Sequence, residues 1–129
     1  MSDKEYNECR IQINALVASW RKRLGLNDYT ITLTFSRGFC QENPDRGAYT
    51  NVFWAYQDAE IIFYLEQLKD SYKSLEAIIV HELTHILLAP IASNLEPGFE
   101  QQHEFACENI ARVFLKMTAI ITTPILRSG

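Results

Sequence analysis

The stretch Leu75–Leu88 limits what this chain can become more than any other, because an apolar run carries His81-Glu82-Leu83-Thr84-His85 at its middle. A run of this length reads as a buried helix. With 3.6 residues per turn, positions four apart share a face. His81 and His85 can therefore direct one imidazole nitrogen each at a single metal ion. Glu82 stands beside the first of them, within reach of a proton on a water held there. Ile78, Ile79, Val80, Leu83, Ile86, Leu87 and Leu88 surround these polar groups with hydrocarbon. Burying a polar group without a partner costs roughly 2–7 kcal/mol. One metal ion satisfies all three at once, whereas a purely hydrogen-bonded core needs a separate partner for each.

The rest of the chain reads as the frame for that helix. Ser2 or Asp3 can cap a first helix whose apolar positions, Tyr6, Cys9, Ile13, Leu16, Val17, Trp20 and Leu24, step by three or four. Gly25 reads as its stop, and Arg21-Lys22-Arg23 complements the dipole at its end. Tyr29–Phe35 alternates apolar residues with threonine and predicts a strand with one buried face. Ser36–Gly47, with Gly38 and Pro44, reads as a loop. A second strand is expected from about Ala48 to Tyr56 and a third over Ala59–Leu65, the two forming an antiparallel hairpin. Leu65–Lys73 is ambiguous, with room for a short helical turn. Ser71 or Ser74 can cap the motif helix, and Pro90 is expected to end it or follow closely. Ala89–Gly98, with Asn94 and Pro97, reads as a loop. A final helix is expected from about Phe99 to Met117, with room to reach Ile120, and Pro124 lies beyond it. The expected fold is α+β in a single domain over residues 1–129: an N-terminal helix, a small three-stranded, mainly antiparallel sheet, the buried motif helix and a C-terminal helix.

Composition narrows the function classes. The net charge is −4 with both signs interspersed, so no basic stripe points to nucleic acid. Cys9, Cys40 and Cys107 are widely spaced and form no Cys-x-x-Cys pair, which argues against a disulfide framework and against a cysteine zinc site. The polar start Met1-Ser2-Asp3-Lys4-Glu5 is unlike a secretion signal, and no apolar run is expected to reach membrane-spanning length. These features predict a cytoplasmic protein with no membrane partner.

Two histidines do not complete a catalytic metal site, which usually has three protein ligands and one open position. The final helix offers Glu100, His103, Glu104 and Glu108, with Cys107, Ile110, Ala111, Phe114 and Met117 marking its inward face. Glu104 and His103 both lie near that face, about 100° apart around the helix, and each is a candidate third ligand.

His81-Glu82-Leu83-Thr84-His85 resembles the active-site helix of zincin metallopeptidases, and Glu104-Phe105-Ala106-Cys107-Glu108 resembles the glutamate helix of their gluzincin branch. The whole chain is similar to short metallopeptidase-like proteins of phage and prophage genomes, which would place it in the cytoplasm of a bacterial host. The resemblance implies a minimal zincin-like fold holding Zn2+ on His81, His85 and Glu104. Glu82 would be the catalytic base and Glu108 the carboxylate that orients a ligand histidine, His81. The gluzincin pattern has aspartate where this chain has Glu108. His103 as the third ligand would instead follow the three-histidine pattern of SprT-like proteases.

The expected activity is peptide-bond hydrolysis by a water that zinc activates and Glu82 deprotonates, on a peptide or protein substrate. By the same resemblance the strand Ala59–Leu65 is the expected docking edge for an extended substrate. Tyr49, Tyr56, Tyr64 and Tyr72 are candidates for an oxyanion donor. Two other readings use the same residues: a catalytically silent, zinc-stabilised binding module, and an SprT-like DNA-associated protease. The acidic charge balance counts against the latter.

Overall fold

A computed structural model of the chain describes residues 1–69, 74–93 and 98–122, with side chains in the last segment described to residue 117. Expectations placed on Ser71, Tyr72, Asn94, Pro97 and Pro124 lie outside the described residues. The order is α1 (Asp3–Arg23), β1 (Thr30–Ser36), β2 (Ala48–Phe53), a 3-10 turn (Trp54–Tyr56), β3 (Asp58–Tyr64), α2 (Leu65–Lys69), α3 (Leu75–Ala92) and α4 (Glu100–Thr122). The arrangement is α+β, with three strands, as the sequence pattern implies.

Ser2 starts α1 through a capping box. Its Oγ accepts from the Glu5 backbone N–H at 3.1 Å, and the Glu5 carboxylate accepts from the Ser2 N–H at 3.2 Å. Each apolar position predicted for α1 meets the core: Ile13, Val17 and Trp20 are buried, and Tyr6, Cys9, Leu16 and Leu24 pack against them. Gly25 follows at φ = 71°, a left-handed turn that suits glycine. Trp20 donates its indole N–H to Glu76 at 2.9 Å, which ties α1 to the first turn of α3.

The sheet order is β1-β3-β2, with β2–β3 antiparallel and β1–β3 parallel. The hairpin is as expected, but the sheet is mixed rather than mainly antiparallel. The connections explain this. The tight link through Trp54–Tyr56 and Gln57, at φ = 51°, forces β2 and β3 to be antiparallel neighbours. The long segment between β1 and β2 lets β2 land on the far side of β3. β1 then takes the remaining side of β3 and runs parallel to it. The strand richest in buried residues, with Ala59, Ile61 and Phe63, occupies the centre. This overturns the expectation that Ala59–Leu65 offers a docking edge, because β3 is paired on both sides and Leu65 already opens α2. The edge beside α3 belongs to β2.

Register puts Ile31, Leu33 and Phe35 of β1, Ala59, Ile61 and Phe63 of β3, and Ala48, Thr50 and Val52 of β2 on one face. The core forms there, with Phe35 and Phe63 stacked at 5.8 Å and the buried side of α3 (Ile79, Val80, Leu83, Ile86) against it. α3 touches β2, α1 and α4. By length and composition alone α3 is apolar enough to cross a membrane, contrary to the sequence expectation. Here it is the central helix of the packing. Pro90 does not end it. The helix runs on to Ala92, and Ser93 closes it through its N–H to the Ala89 carbonyl. Proline withholds one N–H, so a last turn built around it loses at most one rung of the ladder.

Candidate metal centre

Ser74 starts α3, its Oγ accepting from the Ala77 N–H at 3.1 Å. From that start the helical spacing carries His81 and His85 to one side of α3 while Ile79, Val80, Leu83 and Ile86 enter the core. The two imidazole Nε2 atoms lie 3.2 Å apart. Glu104 reaches them from α4: its Oε2 is 3.1 Å from His81 Nε2 and its Oε1 is 3.0 Å from His85 Nε2. Tetrahedral ligands at about 2.0–2.1 Å from a metal stand about 3.3 Å apart. The Nε2–Nε2 separation is close to one such edge, the carboxylate spans the two nitrogens with one oxygen on each, and these groups are close enough to hold a metal ion.

The neighbouring side chains orient the set. Glu108, one turn beyond Glu104, places Oε2 at 2.8 Å from His81 Nδ1. A carboxylate there keeps the proton on Nδ1 and leaves Nε2 as the donor to a metal. His103 meets His85 on the opposite nitrogen, with its Nε2 at 3.1 Å from His85 Nδ1. Glu104 and His103 therefore address different nitrogens of His85, and it is Glu104 that converges with the two Nε2 atoms. Glu100 lies apart and accepts from the Gly98 N–H at 2.9 Å.

Glu82 is buried, at 7% exposure, beside this cluster. Its Oε1 accepts from Thr50 Oγ1 at 2.8 Å, and its Oε2 is 3.9 Å from His81 Nε2. Burial pushes the Glu82 carboxyl up from its usual range, and the two histidines and the Thr50 hydroxyl oppose that only in part. Without metal the other groups share protons. Burial works against a charged His85, but the hydrogen bonds it donates to Cys107 and Glu104 override it and push the imidazole up to about 10. His81 is likewise raised against its burial, first by Glu104. Bonds to His81 and His85 hold the Glu104 carboxyl well below the usual carboxylate range. Burial and the neighbouring His85 lower His103. A divalent cation would replace the protons shared among His81, His85 and Glu104.

A cleft of about 1060 Å3 opens over these groups between β2 with its preceding loop, α3 and α4. Arg46, Tyr49, Thr50 and Phe105 help to line it. Among the four candidate tyrosines, Tyr49 lies on this cleft and Tyr56 is exposed away from it, while Tyr64 adjoins Cys40. Thr50 was not singled out from the sequence. Its signal was available: it is the polar member of the Ala48-x-Thr50-x-Val52 alternation on a core face. The sequence pattern puts Cys107 on the apolar face of α4, and the lack of a Cys-x-x-Cys pair argues against cysteine as a ligand. The structure places its Sγ 3.5 Å from His85 Nδ1 and 3.7 Å from His103 Nε2, and those three groups also lie close enough to hold a metal. Comparison with protein-family models, curated proteins and solved structures finds no match for this chain.

Proposed function

We propose that the chain is a zinc-dependent peptidase, with His81, His85 and Glu104 as ligands and Glu82 as general base. The observation that carries this reading is the Glu104 carboxylate set against two imidazole Nε2 atoms 3.2 Å apart, one oxygen at 3.1 Å and the other at 3.0 Å, beside the buried carboxylate of Glu82. Two neutral imidazoles and one carboxylate suit zinc, and three ligands leave it one open position. When bound, zinc lowers the pKa of water toward neutrality and polarises a carbonyl.

The chain's own residues supply the remaining steps. Glu82, with Oε1 fixed by Thr50, takes the proton of the attacking water and returns it to the departing amine. Its burial raises its proton affinity, which favours taking that proton. Glu108 keeps His81 in the tautomer that presents Nε2. The free side of β2 offers an extended peptide backbone hydrogen bonds along the cleft, replacing β3 in that role. Tyr49 is the candidate tyrosine that lines the cleft, and exposed Phe105 gives the cleft an apolar wall.

The test uses zinc-loaded protein and a broad peptide library. Hydrolysis is expected from the native chain, and Glu82→Gln should keep its zinc while losing about 100- to 10000-fold in rate. Full zinc occupancy with no hydrolysis of any peptide would instead identify a zinc-stabilised binding module.

A further inference from the structure

The two faces of α4 address two different nitrogens of His85, and the Glu104 face accounts for only one of them. The other face carries His103 and Cys107, four residues apart, as His81 and His85 are on α3. Cys107 is fully buried and His103 half-buried. Their donor atoms and His85 Nδ1 form a triangle with sides of 3.1, 3.5 and 3.7 Å. A tetrahedral ion with nitrogen ligands at about 2.05 Å and sulfur at about 2.3 Å has edges of about 3.3 Å (N–N) and 3.6 Å (N–S). The triangle fits both, with its longer sides ending on sulfur as required.

We infer that His85 Nδ1, His103 Nε2 and Cys107 Sγ form a second metal site, for a thiophilic ion of the zinc class, bridged to the first site by His85. A thiolate ligand favours soft and borderline ions over magnesium or calcium. Filling this site displaces the thiol proton of Cys107 and the remaining ring proton of His85, so that the imidazolate gives one nitrogen to each ion. The two ions then repel across one ring, and the two equivalents bind in separate steps. The site draws on the three donor atoms alone and does not require that the Glu82 side be catalytic.

Cobalt(II) is the probe, added under reducing conditions to full-length protein stripped of metal. Two equivalents are expected, one of them bringing a near-ultraviolet thiolate-to-cobalt charge-transfer band. Cys107→Ser should lose the band and one equivalent. Glu104→Ala should lose the other equivalent and keep the band. His103→Ala serves as a second variant if Cys107→Ser does not fold, and should weaken the band at least tenfold in cobalt concentration. A native chain with no thiolate band, or a band that survives Cys107→Ser, overturns the inference and leaves the three groups as a hydrogen-bonded chain. Loss of only the Glu104-dependent equivalent would count against the peptidase site and not against this one.

Discussion

Replacing Thr50 by valine isolates the contact that joins the sheet to the buried carboxylate. Valine keeps the shape and the strand preference of threonine but removes the hydroxyl that donates to Glu82 Oε1 at 2.8 Å. A hydrogen bond to an ionised partner contributes roughly 1.5–3 kcal/mol and one between neutral groups about 1. The loss is therefore greater by about 1 kcal/mol when Glu82 is ionised, which corresponds to a rise of about 0.7 in its pKa. The sign follows from burial. Glu82 holds its proton more tightly in the folded chain than in the unfolded one, so stability falls as pH rises from the ordinary value of 4.5 through the folded value. Thr50→Val deepens that fall. Carboxyl NMR of metal-free protein should show the Glu82 midpoint moving up by about 0.7. Urea unfolding should show a cost about 1 kcal/mol larger above that midpoint than below it. If the chain hydrolyses peptides, the acidic limb of its rate profile moves up by the same amount. A stationary Glu82 midpoint, or an equal cost on both sides of it, would refute the coupling between β2 and the base.

Other outcomes follow from the same geometry. Glu108→Gln removes the carboxylate 2.8 Å from His81 Nδ1 and should weaken zinc binding by about 10- to 100-fold in calorimetry, with the fold intact; unchanged affinity would remove Glu108 from the site. Zinc at a hundredfold excess over Kd should stabilise the chain by about 2.7 kcal/mol, roughly 10 °C in Tm for a chain of 129 residues; a melting curve indifferent to a chelator would contradict zinc binding to the folded state. Metal-free protein should gain stability from charged His85, fully below pH 6.5 and lost as pH rises toward about 10. Zinc-loaded protein should lack that slope, since its ligand imidazole is already unprotonated, and unfolding midpoints across this range read both.

What could be read in the sequence was whatever a single element decides for itself. The stripe of α1 is a local matter of 3.6-residue spacing, and all of its predicted positions meet the core. The hairpin is also local, since the short Trp54–Gln57 link leaves β2 and β3 no other pairing. The place of β1 is different. Its Ile31, Leu33 and Phe35 alternate equally well beside either strand, and the long segment before β2 leaves both possible. The choice is made by the core, which puts the strand bearing Ala59, Ile61 and Phe63 in the middle. The substrate edge was misplaced for the same reason: an edge is a property of the whole sheet. Pro90 failed as a stop because, so near the helix end, a missing N–H does not outweigh the turn that Ser93 closes.

The site divides along the same line. His81 and His85 are four apart on one helix, so their approach is written in the spacing alone. Glu104 and His103 are adjacent in sequence and both approach α3, and spacing could only set them against each other as rivals for one position. The structure removes the rivalry by using both nitrogens of one ring: Glu104 meets Nε2 of His85 and His103 meets Nδ1. A rotation of about 100° per residue produces this result, since two neighbouring positions on α4 fall on opposite sides of an imidazole standing between the helices. It also carries Glu108 behind Glu104 and Cys107 behind His103, one turn further along each ridge. The ridge that reaches Nε2 is acidic, and the ridge that reaches Nδ1 ends in sulfur. The chemistry on the two sides of His85 therefore differs because of helical phase, which no motif confined to one helix could express.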